Sequence, residues 1–226
     1  MRFGICSFPG SNCDYDTLYV LRDLLKQDAR IVDINSPKLS DFDCIIVPGG
    51  FSFGDYLRAG LIASRTSLGQ EIYNFASRGK PVIGICNGFQ ILTELKLLPG
   101  ALLKNDPFRF VCKAVNLRVE HTNSRFTKRY RDKEVIKMPI AHSQGRYFVD
   151  EKNLQEMKSR SLILFRYCGP QGEIDSSFNP NGSIENIAGI MNKEGNVFGL
   201  MPHPERASED ILSFRDGLML WHSIIS

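Results

Sequence analysis

The sequence predicts an α/β fold: an open, mostly parallel central sheet with helices on both faces, a nucleophile-elbow turn, and extra antiparallel strands in the second half. Three observations predict it. As far as Leu95, short apolar runs alternate with amphipathic helical patterns, as parallel strands joined by crossover helices do. Beyond Phe110, β-like runs follow one another with turn residues between them. Near the end of the first region, Cys86 stands between Gly84 and Gly88, where an apolar run gives way to a helical pattern.

In order, RFGICSF (2–8) reads as a buried strand, DTLYVLRDLL (16–25) as an amphipathic helix and RIVDI (30–34) as a strand. DCIIVPGG (43–50) is a strand ending in glycines. YLRAGLIASRTSLGQEIYNFASRG (56–79) reads as one helical stretch with Gly79 as its stop. PVIGI (81–85) is the next strand and NGFQILTEL (87–95) the helix after it. FVCKAVNLRVEHT (110–122), EVIKMPIAH (134–142), SLILFRY (161–167), IENIAGIMN (184–192) and NVFGLMPHPE (196–205) read as successive strands. ASEDILSFRDGLMLWHSII (207–225) closes the chain as an amphipathic helix, and the charged run RFTKRYRDK (125–133) reads as a solvated hairpin. No repeat or linker interrupts the pattern, so a single domain over 1–226 is expected.

The bulk numbers restrict the function. A chain of 226 residues fills one large domain with a substantial core. Its 28 basic and 25 acidic side chains leave a net charge of +3, too slight a bias to name nucleic acid or a membrane as partner. No apolar run approaches the roughly 20 residues of a membrane span, and the opening MRFGICSFPGSNCDYD has no signal-peptide core. Cysteines at 6, 13, 44, 86, 112 and 168 form no CxxC pair, so neither a metal site nor a disulfide framework is expected. A cytoplasmic location suits such thiols, with Cys6, Cys44 and Cys112 as small core residues.

Chemistry points to Cys86. A residue at the turn after a parallel strand stands at the sheet's carboxyl edge, where open α/β folds bind ligands. Glycines at 84 and 88 clear space for a tight strand-to-helix turn, the thiol version of the G-x-S-x-G elbow. The helix N-terminus favours thiolate there. By itself G-x-C-x-G fits a structural cysteine equally well, so a nucleophile needs partners. His203 and Glu205 in MPHPE supply a base and its orienting carboxylate. Pro202 and Pro204 exclude a helix and hold the segment extended, so positions 203 and 205 project to the same side. Gly49 and Gly50 end a strand on the same edge, and the N–H groups of Gly50 and Asn87 would face a developing oxyanion. Gln90, one turn into the helix, stays on the nucleophile's side and can hydrogen-bond a small polar substrate. His142, in the polar AHSQGRYF, lies in a loop that a substrate could pass.

In their order along the chain, PGG (48–50), GICNGFQ (84–90) and MPHPE (201–205) resemble the class I (triad) glutamine amidotransferases. With FPGSNCDYDT (8–17), PGGFSFGDYLRAG (48–60), AHSQGRY (141–147) and MPHPERA (201–207), the resemblance spans essentially the whole chain. It narrows to the glutaminase subunits of phosphoribosylformylglycinamidine synthase, an enzyme of purine biosynthesis. The resemblance implies Cys86 as nucleophile, His203 and Glu205 as its triad partners, and Gly50 and Asn87 as the oxyanion amides. Gln90, Gly49, His142 and Ser143 would contact substrate. Ser143 and Gln144 stand where the family often shows glycine and glutamate, so only backbone contacts carry over there. It further implies that ammonia released from glutamine passes to a large synthetase subunit, with a small accessory subunit in the same complex. That synthetase uses ATP and magnesium, and this chain needs no cofactor of its own. The chain has no G-x-x-x-x-G-K-[ST] phosphate loop with which to do that step itself. Three other readings remain: a cysteine peptidase-like hydrolase, a binding module with an inert triad, and a glutaminase serving a different acceptor.

Overall fold

Among the described residues, four strands precede Leu95: β1 (Arg2–Ser7), β2 (Asp28–Asp33), β3 (Cys44–Val47) and β4 (Val82–Ile85). They pair in parallel in the order β2-β1-β3-β4. β3 and β4 are buried at every position, as their unbroken apolar runs require of strands covered on both faces. This is a computed structural model, and it describes residues 1–35 and 37–226. By its contacts the chain divides into two compact units, Met1–Leu98 with Asn196–Gly199, and Pro99–Gly195 with Leu200–Ser226.

In the first unit, helices follow the strands. α1 (Asp14–Leu18) runs into a π-helical segment, Tyr19–Leu24, where the sequence predicts one unbroken α-helix. The wider turn still buries Val20 and Leu21. The helical stretch expected over 56–79 is instead α2 (Leu61–Ser64) and α3 (Ser67–Ser77). Thr66 divides them: its side chain accepts the Gly69 N–H and so caps a new helix. Gly79 does end α3, at φ +76°. α4 (Asn87–Glu94) follows β4. Asn196 rejoins this unit, accepting from Val82 N–H and donating its side-chain amide to the carbonyls of Ala76 and Lys80.

The second unit holds the antiparallel strands. β6 (Val111–Val119), β7 (Val135–His142), β9 (Ile163–Cys168) and β10 (Ile187–Met191) pair in the order β10-β9-β6-β7. β5 (Ala101–Leu103) and β8 (Arg146–Phe148) form a small separate pair. β11 (Val197–Leu200), which belongs to the first unit as far as Gly199, ends before the prolines. α5 (Glu151–Ser159) is capped by Asp150. The terminal helix α6 covers only Leu218–Ile225, because Ser213 adopts a left-handed conformation (φ +70°) after a single 3-10 turn at Asp210–Leu212.

Parallel strands with helices in one unit and antiparallel strands in the other make the α/β fold that the sequence predicts. Three smaller expectations are corrected. Cys6 and Cys44 are core, but Cys112 is exposed, since β6 starts outside the core and enters it only from Val115. The charged run 125–133 is no free hairpin: Phe126 and Tyr130 are buried, and the Tyr130 hydroxyl donates to Asp216 O at 2.8 Å. His142 lies at the end of β7, buried, rather than in a loop.

Candidate active site

Cys86 occupies the turn between β4 and α4 at φ +51°, ψ −105°. That is a conformation L-residues rarely adopt, and strain of this kind clusters at functional positions. The glycines explain how the turn is packed. A Cβ on Gly88 would fall 1.9 Å from the Val47 carbonyl oxygen, and one on Gly84 would fall 2.6 Å from the Gly88 backbone. So α4 sits directly on β3, and the thiol is presented at the helix's first turn, 5% exposed. Gln90 is also buried, and its N–H bonds to Cys86 O.

The Gly49–Gly50 turn is zipped to the loop after β1. Asn12 and Cys13 N–H both donate to Gly49 O at 3.1 Å, and Phe51 N–H donates to Gly10 O at 2.8 Å. Ser11 and Gly50 therefore face each other as the non-bonded pair of an antiparallel bridge. In such a pair the N–H groups point away from the partner strand, which leaves the Gly50 amide directed outward. The Gly49 carbonyl is committed to this support. Gly50 has φ +147°, and a Cβ there would meet Asn12 N at 2.6 Å, so the position requires glycine.

In the second unit, His203 Nδ1 lies 2.6 Å from Glu205 Oε1, with both side chains buried. The contact is the expected one, but the backbone differs. His203 is extended and caps a 3-10 turn, Pro204–Arg206. Proline is tolerated at the first helical position because no N–H is needed there, so Pro204 starts this turn instead of preventing it. His203 N–H donates to Pro139 O, which fixes the segment on β7.

His142 adds a second imidazole. Asn105 spends its amide N–H groups on the carbonyls of His142 and Arg109, so its Oδ1 is the acceptor 3.2 Å from His142 Nδ1. Nδ1 must then carry the proton and Nε2 a lone pair. Burial first, and the neighbouring His203 second, push the His142 pKa down to about 4, so the ring is neutral at pH 7. Its Nε2 is buried with no hydrogen-bond partner among the described residues. The Ser143 carbonyl accepts the Asn105 backbone N–H.

The sequence reading did not single out Gly10, Asp55 or Asn105. Gly10 (φ +91°) lies under the Phe51 carbonyl, 2.3 Å from where its Cβ would be. Asp55 lies beside Asn87, and partial burial raises its pKa to about 6. Polar residues beside a glycine in PGSN and FGDY were the available signal for Gly10 and Asp55, and nothing local marks Asn105.

Residues 1–213 match the family model of the CobB/CobQ-like glutamine amidotransferase domain. The chain belongs to this family. Among its curated relatives, the phosphoribosylformylglycinamidine synthase subunit PurQ of Aquifex aeolicus is 62% identical over the whole of both chains. The subunit PurQ of Acaryochloris marina is 51% identical, over 100% of this chain and 96% of that one. Among solved structures, PurLQS from Thermotoga maritima superposes on this amidotransferase with a TM-score of 0.87 at 43% identity, covering 99% of this chain and 97% of that chain. Among the described residues, no helix is long and apolar enough to cross a membrane.

Proposed function

We infer that this amidotransferase is the glutaminase subunit of phosphoribosylformylglycinamidine synthase, and that Cys86, His203 and Glu205 carry its chemistry. It hydrolyses glutamine to glutamate and ammonia for purine biosynthesis, and it works in a complex with a synthetase. The observation that carries the assignment of residues is the elbow: a cysteine held at φ +51° between two glycines whose space is already filled.

The reaction follows from these groups. His203 takes the Cys86 thiol proton as the sulfur attacks the side-chain amide carbon of glutamine, and the amide π electrons move to oxygen. The N–H groups of Gly50 and Asn87 hold that oxyanion. His203, oriented through Nδ1 by Glu205, gives a proton to the departing nitrogen, which leaves as ammonia. The same imidazole then takes a proton from water as it attacks the thioester, and glutamate is released while the thiol is restored. By the sequence resemblance, Gln90, Gly49, His142 and Ser143 would contact substrate. The His142 Nε2 lone pair suits a donor such as the substrate ammonium group.

The finer assignments rest on the sequence resemblance. Ammonia passes to a large synthetase subunit that uses ATP and magnesium to convert formylglycinamide ribonucleotide to the amidine. A small accessory subunit completes the complex, this chain binds no cofactor, and the assembly is cytoplasmic. In the assembled complex, Cys86→Ala should abolish glutamine-dependent synthesis and leave ammonia-dependent synthesis intact. Normal glutamine use by that variant would remove Cys86 from the mechanism. Hydrolysis of peptides without glutaminase activity would favour the peptidase reading.

A further inference from the structure

We propose that the Asn87 side chain is a positioning residue, which ties the loop carrying Gly50 to the elbow carrying Cys86 and sets the direction of the Gln90 amide. This rests on the oxyanion and nucleophile assignments above, which use only the Asn87 backbone N–H.

Asn87 is 1% exposed. Its Oδ1 accepts the Ser52 backbone N–H at 3.1 Å. Its Nδ2 donates to Gln90 Oε1 at 2.8 Å and lies 3.5 Å from Asp55 Oδ1. The orientation is forced, because a backbone N–H can only meet the oxygen end of the amide. The nitrogen end therefore faces Gln90, which must answer with its oxygen and turn its own NH2 group elsewhere. One backbone donor at Ser52 thus decides, through Asn87, that Gln90 offers its donor end away from Asn87.

The loop needs such a tie. Phe53, Gly54, Asp55 and Leu57 have φ of +52°, +67°, +54° and +65°. For non-glycine residues such geometry persists only where the surroundings over-determine it. The bond from Phe53 N–H to Pro9 O is one restraint, and the Asn87 contact with Ser52, two residues past Gly50, is another. Since the Asn87 N–H is itself the second oxyanion donor, its side chain locks the two donors into one unit.

The test uses this chain assembled with its synthetase. Asn87→Leu keeps the shape and the backbone N–H but none of the side-chain bonds. Its kcat with glutamine should fall about 10²–10³-fold, the cost of a misplaced oxyanion donor. Its KM should rise up to about 10-fold through loss of one substrate-directing bond, and ammonia-dependent synthesis should be unchanged. In a Gln90→Leu background the KM effect of Asn87→Leu should vanish while the kcat effect persists. Alkylation of Cys86 by iodoacetamide should match wild type. Inhibition by glutamate γ-semialdehyde, whose carbonyl carbon takes the sulfur while its oxygen enters the oxyanion site, should weaken by the same factor as kcat. Wild-type kcat for Asn87→Leu, with Cys86→Ala inactive, would overturn the proposal. So would a parallel loss of iodoacetamide reactivity, which signals a collapsed elbow. Glutamine use by Cys86→Ala would instead remove the reading on which the proposal stands. If Asn87→Leu does not assemble, Asn87→Ala, which also keeps the backbone N–H and none of the side-chain bonds, carries the same expectations.

Discussion

Histidine 203 and its carboxylate divide their labour unevenly. In the reaction proposed above the ring moves protons in both half-reactions, whereas Glu205, 2.6 Å away, orients it. His203→Ala should therefore cost about 10²–10⁴-fold in glutamine-dependent turnover, and Glu205→Ala less. Steady-state rates in the complex check the ranking, and the reverse order would exchange the roles. Asp55 gives a stability signature instead. Its folded pKa of about 6 lies above the ordinary 3.8, because burial penalises its charge. The folded state thus holds the proton more tightly than the unfolded state. The stability this adds is complete below about pH 4 and is lost as pH rises through 6. Asp55→Asn cannot titrate, so its melting temperature relative to wild type should climb between those values and then level off. A difference that stays constant with pH would show that Asp55 ionises freely. At this scale the sequence could nominate Cys86, His203, Glu205 and Gln90 because their neighbours in the chain mark them out, and the structure adds the buried His203–Glu205 contact. It hid Asn105 and Asp55, whose partners come from distant segments.

Elements were legible where one force acts alone. β3 and β4 are apolar throughout and could be little else. Boundaries failed where a single side chain or backbone angle outweighs the pattern, as at the Thr66 cap, the Pro204 turn and the left-handed Ser213. α5 was missed because only Leu154 and Met157 are buried along it, and β5 and β8 because three residues carry too little pattern. Glycines test the packing of α4 on β3. Gly88→Ala forces a Cβ against the Val47 carbonyl, so α4 must shift and carry the elbow with it. It should destabilise the fold by about 1–3 kcal/mol and abolish glutamine use. Gly79→Ala meets nothing within 4 Å despite φ +76°. It should cost only backbone strain of about 1–2 kcal/mol and leave turnover unchanged. Melting curves with parallel assays separate the two, and an active Gly88→Ala would show that the helix can move without consequence.

For the molecule as a whole, the fold class was readable early because the change from alternating to consecutive strands is a property of the entire chain. The division into two compact units was not readable, since the first recruits Asn196–Gly199 from far along the sequence. The reactive turn has a consequence for global stability as well. At φ +51°, ψ −105°, Cys86 holds a geometry that is the mirror image of one every L-residue finds comfortable, and only glycine accepts both hands alike. Ordinarily glycine is less stable than alanine in a regular element by about 0.5–1 kcal/mol. At position 86 the order should invert, with Cys86→Gly melting at or above Cys86→Ala in thermal unfolding of the purified chain. A glycine variant that melts lower would mean that no tension resides there. With the inversion, the inactive glycine protein is the more durable one, and the working enzyme keeps its sulfur in place by giving up part of its own resistance to heat.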